Sequence, residues 1–265
     1  MRILTLLKYS LDVTEIKVDP ATHEIRLAGV PLKIGNIDKN VVEAAVRLKE
    51  KLSGEVIGLS FAPISAREGF RDVLAMGLDE VVLVEEPAGA HLDAGGVVNI
   101  LAAAIRKLGS FDLILCGFAS DDGYSYQTGP RLAERLGLPL VSYARRIEVN
   151  DNQLIADRDL DDCVETLKLT LPAVVSVAEE AFLPRRTTLM DALKAKKKPV
   201  HVWGVSSELG LAVDELAAQN QTEMVAEHGI VVKRKQQVFK GQGLSQLADA
   251  LLDALLAEGV LKGKA

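Results

Sequence analysis

Short, almost uninterrupted apolar runs alternate with longer amphipathic segments through the first half of the chain, and this alternation limits the possible folds most strongly. The runs are rich in Val, Ile and Leu, which is typical of parallel strands covered on both faces. They lie at Ile3–Leu7, Val56–Ser60, Val81–Val84 and Phe111–Cys116. Repeated strand–helix units imply right-handed crossovers, so the sequence predicts an α/β fold with a doubly wound, mostly parallel, Rossmann-like sheet.

Helical patterns fill the spaces between these runs. They cover 41–52, Ala66–Met76, Val97–Leu108 and Pro130–Leu136. Gly77, Gly109 and Gly137 follow the last three patterns, where glycine commonly ends a helix. Asp38 precedes the first pattern and is predicted to be its N-cap. A second interpretation places the same turn beside an adenosine, because it follows the first strand.

The second half of the chain begins with an antiparallel extension. Three extended segments alternate polar and apolar residues or are rich in β-forming residues: Ser142–Val149, Gln153–Asp159 and Val164–Leu171. Ala173–Val177 is a further buried strand. Asp12–Ala28 is predicted to form a small hairpin near the N-terminus. We therefore expect an antiparallel extension followed by a final buried strand.

The chain loses its core character after Pro184. Residues 204–240 are polar, and a leucine stripe then runs from Leu244 to Leu256. We expect a nucleotide-binding domain over 1–203 and a C-terminal arm over 204–265. From periodicity alone, the last helix either packs back on the domain or lies on a partner.

Composition excludes several classes of protein. The formal net charge of −6, from 37 acidic and 31 basic residues among 265, argues against nucleic acid as the main partner. Two cysteines, Cys116 and Cys163, cannot form a disulfide framework, and the Cys and His residues lack zinc-ligand spacing, so no metal is expected. With no apolar run of roughly 18 residues and no signal-peptide pattern, we expect a soluble cytoplasmic protein without a membrane span.

The motifs of common nucleotide enzymes do not occur in this sequence. Lys8, Tyr9 and Ser10 follow the first strand in place of a Gly-x-Gly-x-x-Gly turn, and there is no P-loop and no nucleophile elbow. Cys116 ends an apolar strand, Cys163 follows two aspartates, and the four histidines are scattered. We therefore expect no catalytic residue in a protein that holds a nucleotide.

The loop from Gly117 to Pro130 is the most informative candidate site. It follows the fourth strand, and ligands of open parallel sheets bind at the carboxyl ends of strands. Gly117 permits close backbone approach, while Ser125, Gln127 and Thr128 can donate to phosphate oxygens near a helix N-terminus. An equally simple interpretation is a capped helix start with a solvated acidic loop.

Several motifs resemble those of the electron transfer flavoprotein β subunit. The signature-like stretch runs from Ala156 to Leu167 and continues at Pro172–Ser176, with Cys163 where the family usually has Gly or an acid. Further matches are Ala75–Asp79, Gln127–Pro130 and Lys194–Lys198.

This resemblance implies a fold of the adenine nucleotide α-hydrolase type and a heterodimer with an FAD-carrying α subunit. The β subunit of such proteins binds AMP or, in the electron-bifurcating branch, a second FAD. Gly35-Asn36 stands where the family usually has Asn-Pro. By position, the implied nucleotide contacts are Leu6, Gly35, Asn36, Ile37, Asp38, Asn40, Phe61, Gly117, Phe118, Ala119, Ser120, Asp121, Asp122, Gly123, Tyr124, Ser125, Tyr126, Gln127 and Thr128.

The resemblance also implies a partner-recognition loop over 178–198. Leu189 matches the leucine that anchors in a flavin dehydrogenase, and the expected docking residues are Pro184, Arg185, Leu189, Lys194 and Lys197. The lysine run is otherwise a solvated basic face or a surface that steers an acidic partner. The C-terminal arm is then expected to lie on the α subunit.

The expected function is an electron carrier that works between flavin dehydrogenases and a redox acceptor. One alternative is a subunit of an NADH-dependent electron-bifurcating complex that reduces ferredoxin or flavodoxin together with a quinone or an enoyl-CoA. Two functions of different classes are a stand-alone adenine-nucleotide-binding protein and an adenylating enzyme. An adenylating enzyme would need a Ser-Gly-Gly-x-Asp-Ser loop after the first strand, where Lys8-Tyr9-Ser10 stands.

Overall fold

A mixed nine-stranded sheet organises the chain in the computed structural model, which describes residues 1–87, 89, 91–232, 234–241 and 243–261. The strand order is β11-β10-β9-β12-β8-β1-β6-β7-β13. The strands are β1 Arg2–Leu6, β2 Tyr9–Leu11, β3 Lys17–Val18, β4 Ile25–Arg26, β5 Leu32–Ile34, β6 Glu55–Ala62, β7 Glu80–Glu85, β8 Leu113–Gly117, β9 Leu140–Asn150, β10 Gln153–Asp159, β11 Val164–Thr170, β12 Ala173–Val177 and β13 Val200–Gly204.

Seven helices accompany these strands in the described part of the chain. They are α1 Asn36–Leu52, α2 Arg71–Met76, α3 Ala94–Leu108, α4 Thr128–Leu136, α5 Leu189–Ala195, α6 Val213–Ala217 and α7 Leu244–Ala257. Helices α1, α2 and α5 pack on one side of the sheet, and α3, α4 and α6 belong to the hydrophobic cluster on the other. This arrangement confirms the predicted doubly wound α/β fold.

The centre of the sheet is parallel, and its strands are buried on both faces because the connecting helices cover both sides. Strand β1 pairs in parallel with β6 on one side and with β8 on the other, with Ile3 opposite both Val56 and Leu113. Ile3 and Leu4 are fully buried, on opposite faces. Because the chain builds outward in both directions from β1, strand order reverses beside this strand.

The predicted antiparallel extension is confirmed. Strand β9 is parallel to β12, whereas β10 is antiparallel to both β9 and β11. Strands β10 and β12 have the predicted bounds. No residue of β11 is fully buried, as expected for the outermost strand.

Two helix predictions were wrong in detail. The segment Ala66–Met76 is a 3₁₀ helix, Ile64–Glu68, followed by α2. Gly69 ends the 3₁₀ helix, and it lies against the ring of Tyr9, where a Cβ would overlap the ring. Asp38 is not the N-cap of α1, which begins two residues earlier with Gly35 at the cap position.

Strand β13 was not anticipated from the sequence. It pairs in parallel with β7, with Val200 opposite Val81, and forms the other edge of the sheet. Its five residues follow a lysine run and include His201, which is exposed. Such a short, half-buried edge strand gives little periodicity to detect.

The chain divides into two compact units. The first comprises 1–17 and 26–227, and the second comprises 18–25 with 228–265. The first unit extends beyond residue 203 because Val205 and Leu216 are buried in its core. In the second unit, α7 buries none of its residues. Residues 233, 242 and 262–265 of the predicted arm lie outside the described residues.

Candidate functional site

A cavity of about 540 Å³ lies at the carboxyl ends of β1 and β8. This is the point where strand order reverses, and ligands of doubly wound sheets bind there. Segments from β1, the start of α1, β6, α3 and the loop before α4 all contribute to its wall. A cavity of this size matches those that hold small molecules and cofactors.

Lys8 supplies a cation at the cavity. It follows β1, and its ammonium group lies 2.7 Å from a carboxylate oxygen of Asp122 and 3.5 Å from Ser120 Oγ. Its side chain remains about half exposed.

The loop from Gly117 to Gln127 forms a second wall and ends at helix α4. Gly117 is required by sterics, because a Cβ there would lie 2.6 Å from Ile37 Cγ2 and 2.7 Å from the Ala119 carbonyl oxygen. Gln127 occupies the N-cap of α4 without a side-chain capping hydrogen bond. The first N–H groups of α4 therefore have no side-chain cap, and they favour an anion.

Asp38 provides a buried carboxyl group in the cavity wall. It is 6% exposed, and its Oδ1 accepts a hydrogen bond of 2.9 Å from the Lys8 backbone N–H. Burial raises the pKa of Asp38 to about 7, although that hydrogen bond partly offsets the effect. Burial also raises the pKa of Glu86, which lines the same cavity. Both carboxyls therefore hold a proton more readily than exposed ones.

Cys116 lies at the end of β8 and lines the cavity, yet its chemistry is that of a core residue. Its side chain is 2% exposed, and burial raises the pKa of the thiol to about 12. A thiol with this pKa is not a nucleophile near neutral pH. The sequence prediction that Cys116 is structural agrees with this environment.

Most of the implied nucleotide contacts meet at this cavity. Twelve of the nineteen line it, from β1, α1, β6 and the loop before α4. They are Leu6, Asp38, Phe61, Gly117, Phe118, Ala119, Ser120, Gly123, Ser125, Tyr126, Gln127 and Thr128. Gly35, Asn36, Ile37, Asn40, Asp121, Asp122 and Tyr124 do not line it.

Asp121 and Asn40 have hydrogen-bond partners within the protein. The Asn36 N–H donates to Asp121 Oδ2 at 2.8 Å, so Asp121 satisfies the start of α1 from another loop. A Cβ at Gly35 would overlap that carboxylate. Asn40 Oδ1 accepts from the Phe182 N–H at 3.0 Å. These contacts hold the cavity walls in position.

A segment far away in sequence also reaches the cavity. Thr222 and Met224 line it. Asp93 positions this segment, because its carboxylate caps α3 through Gly95 and Gly96 and also accepts from the Gln221 N–H at 2.9 Å. Nothing local in the sequence predicts this contact over more than 120 residues. The Asp93-x-Gly-Gly spacing could have indicated only the helix cap.

The predicted recognition loop is fixed at its base by Arg185. The guanidinium contacts Glu43 at 2.8 Å and Glu50 at 2.6 Å. The Glu43 side chain is 3% exposed, and burial alone would raise its pKa. Hydrogen bonds from Arg185 and Arg47 outweigh burial and lower that pKa. Arg185 therefore ties the loop to α1.

Helix α5 presents apolar side chains to solvent. Thr188 and Asp191 form a capping box at its start, and Ala195 is its buried contact. Leu189 is 77% exposed, and Met190 and Leu193 are also exposed. Of the other predicted docking residues, Pro184 is partly buried, whereas Lys194 and Lys197 are exposed.

Two kinds of feature are absent from the described residues. No group of three or more His, Cys, Asp or Glu side chains in that part of the chain is arranged to hold a metal ion. None of the described helices has the length and apolarity that a membrane crossing requires.

Comparison with known proteins gives consistent matches. The family described as electron transfer flavoprotein domain matches residues 23–208. The chain is 32% identical over 263 residues to the electron transfer flavoprotein subunit beta of Thermoanaerobacterium thermosaccharolyticum, covering 98% of this chain and all of the relative. It is 30% identical, with the same coverage, to the caffeyl-CoA reductase-Etf complex subunit CarD of Acetobacterium woodii.

Proposed function

The chain belongs to the electron transfer flavoprotein family and is a homologue of its β subunit, and from that premise we propose that it is the nucleotide-holding subunit of a two-subunit electron carrier. Its partner would be an α subunit that carries the redox-active FAD. The observation that carries this proposal is the cavity where strand order reverses, bordered by Lys8 and the uncapped start of α4.

The cavity residues suit an adenine nucleotide. Lys8, Ser125 and Thr128 would hold the phosphate, together with the backbone N–H groups that begin α4. Asp38 would accept hydrogen bonds from the adenosine end, where a carboxyl group can pair with amino or hydroxyl donors. The cavity thus contains a cation suited to the phosphate of a nucleotide and a carboxyl group suited to its sugar and base.

The flavin supplies the electron-accepting ring when bound, and the protein supplies binding, orientation and electrostatics. In this chain, the parallel sheet fixes the ends of β1 and β8, and the Asp121 contact holds the start of α1 beside them. A rigid cavity of this kind suits a permanently bound nucleotide. Burial raises the pKa of the Cys116 thiol in the cavity wall to about 12, so this thiol is not a nucleophile near neutral pH.

We further propose that α5 docks a flavin dehydrogenase through Leu189. An exposed leucine on a helix that is fixed at its base can enter a partner's pocket with little ordering cost. A small contact of this kind releases the partner quickly, which an electron shuttle requires. The exposed Lys194 and Lys197 would steer an acidic partner surface.

The second candidate is a subunit of an electron-bifurcating complex with FAD in the β-subunit site. The match to a subunit named for a caffeyl-CoA reductase-Etf complex favours including it. A stand-alone adenine-nucleotide-binding protein is the remaining candidate. It would form no stable complex when coexpressed with an α subunit.

Removal of the phosphate-binding side chains tests the nucleotide site. The Gln127→Ala, Thr128→Ala variant should lose most of its bound nucleotide, measured by chromatography after denaturation. A matched control replaces the same residue types on the paired strands β10 and β11, Gln153→Ala with Thr170→Ala, and should keep its nucleotide. Equal nucleotide content in both variants would place the site elsewhere.

A further inference from the structure

A segment from far along the chain reaches the cavity, and we propose that it is a strap that retains the bound nucleotide. We call residues 220–224 the strap. It belongs to the first compact unit, and Thr222 and Met224 within it line the cavity. The inference rests on the proposed nucleotide site and goes beyond it, because it assigns Asp93 and Asn220 as positioning residues that control how fast the ligand leaves.

Three hydrogen bonds anchor the start of the strap. The Asp93 N–H donates to Asn220 Oδ1 at 2.9 Å, and the Gln221 N–H donates to a carboxylate oxygen of Asp93 at 2.9 Å. Asn220 Nδ2 donates to the His91 carbonyl oxygen at 2.6 Å. The hydrogen bond from Gln221 is the largest cause of the lowered pKa of Asp93, so the carboxylate is charged when it holds the strap. Hydrogen bonds to a charged acceptor are the stronger kind.

Asp93 uses its two carboxylate oxygens for different purposes. Its Oδ1 accepts from the N–H groups of Gly95 and Gly96 and caps helix α3. Its Oδ2 accepts from Gln221 and lies 3.5 Å from the Thr222 hydroxyl. One oxygen is enough for a helix cap, since serine caps helices as well as aspartate does. The second oxygen therefore serves the strap.

The strap beyond its anchors is a thin piece of chain at the surface. Residues 221–224 are exposed and lie outside the helices and strands. Met224 lines the cavity although 79% of it is exposed, so it lies where the cavity meets solvent. Leu92 and Val97, at the start of α3, line the same cavity. An apolar side chain in this position gains buried surface when a ligand fills the cavity.

The anchors can open without disturbing the sheet. They join the strap to the segment that begins α3, and none of them involves a strand. Such local opening requires less free energy than unfolding of the core. Release of a ligand held under a segment of this kind is limited by the opening of that segment. We therefore expect the anchors to set the dissociation rate more than the association rate.

The test is the rate at which bound nucleotide leaves the full chain. The protein is loaded with radiolabelled AMP, and in a parallel series with radiolabelled FAD, and excess unlabelled ligand is added. In the Asp93→Ser, Asn220→Ala variant, the serine hydroxyl keeps the cap of α3 while the strap loses its anchors. We expect release about tenfold faster, with the association rate unchanged within about twofold.

Two methionine changes form a matched pair. Met224→Ala keeps the anchors and removes the covering side chain, so release should be about threefold faster. Met190→Ala removes a methionine of α5 that is 61% exposed and does not line the cavity, and release should be unchanged. A glutamate-specific protease gives a second measurement, because Glu223 is an exposed residue of the strap. Bound nucleotide should slow cleavage at Glu223 in the unchanged protein and not in the double variant.

The contrary outcomes separate the two proposals. Unchanged release from both the double variant and Met224→Ala would overturn the strap while the nucleotide site stands. Equal acceleration by Met224→Ala and Met190→Ala would also overturn it. If neither AMP nor FAD binds the unchanged chain, both proposals fail. If the double variant does not fold, Asn220→Ala alone decides, because it leaves the Asp93 cap of α3 in place.

Discussion

Asp38 is a carboxyl group that folding places almost out of reach of water. Burial raises its pKa from the ordinary value of 3.8 to about 7. Between these two pH values the folded chain binds more protons than the unfolded chain, so its stability falls as pH rises. The same carboxyl accepts a hydrogen bond from the Lys8 backbone N–H at the cavity.

Asp38→Asn should therefore remove part of the pH dependence of stability. Between pH 5 and pH 8 the unchanged protein should lose about 2.5 kcal/mol more than the variant, since the linkage acts over about two pH units in this range and each corresponds to about 1.4 kcal/mol. The measurement is chemical unfolding of the nucleotide-free chain at both pH values. Asp122→Asn is the control, because contact with Lys8 lowers the pKa of Asp122 despite its burial. Identical slopes for Asp38→Asn and the unchanged protein would contradict this explanation.

Arg185 is predicted to matter mainly for folding. Arg185→Ala would leave Glu43 buried with only Arg47 beside it, and we expect a loss of about 2 kcal/mol in the free energy of unfolding. Arg47→Ala is the matched control, since that side chain is 54% exposed, and it should cost less than about 1 kcal/mol. Urea unfolding at pH 7 measures both. Equal effects would show that the loop is not held by Arg185.

At the level of elements, helix α5 has one face that packs on the core and one face that is exposed to solvent. Ala195 contributes to the core, whereas Leu189 contacts little of its own chain. Leu189→Ala should change the free energy of unfolding by less than about 0.5 kcal/mol. Electron acceptance from the dehydrogenase should fall about fivefold or more in kcat/KM, measured by stopped-flow or steady-state assay.

The control for Leu189 is a similarly exposed apolar residue on another element. Val164 lies at the start of β11, is 52% exposed and can be replaced by alanine. Val164→Ala should leave electron acceptance unchanged. Loss of bound nucleotide in Leu189→Ala, or an unchanged rate, would argue against a docking role.

The elements that the sequence predicted well are those with strong local patterns. Strands β10 and β12 have their expected bounds. A strand with one solvent-exposed face alternates polar and apolar residues, and a strand buried on both faces is a continuous apolar run, so both patterns are easy to detect in a sequence. Strand β13 was missed because its pairing with β7 depends on residues 119 positions away. The loop before α4 was identified from glycines and hydroxyl groups, whereas the Thr222 segment depends on one long-range contact with Asp93.

For the whole molecule, the sheet order determines where a ligand can bind. Strand β1 lies between β6 and β8, and the cavity lies at the carboxyl ends of these strands, where strand order reverses. Sequence alone predicted the repeating units, and the family resemblance pointed to the nucleotide. It could not predict which loop residues turn inward, since Asp121 contacts α1 while its neighbour Ser120 lines the cavity.

The most direct test of the central claim is the nucleotide content of the purified two-subunit complex. The complex is denatured, and the released AMP and FAD are separated by chromatography and counted per pair of chains. We expect the FAD of the α subunit plus one further adenine nucleotide, either AMP or a second FAD. A single FAD with no second nucleotide, in a complex that still transfers electrons, would contradict the account.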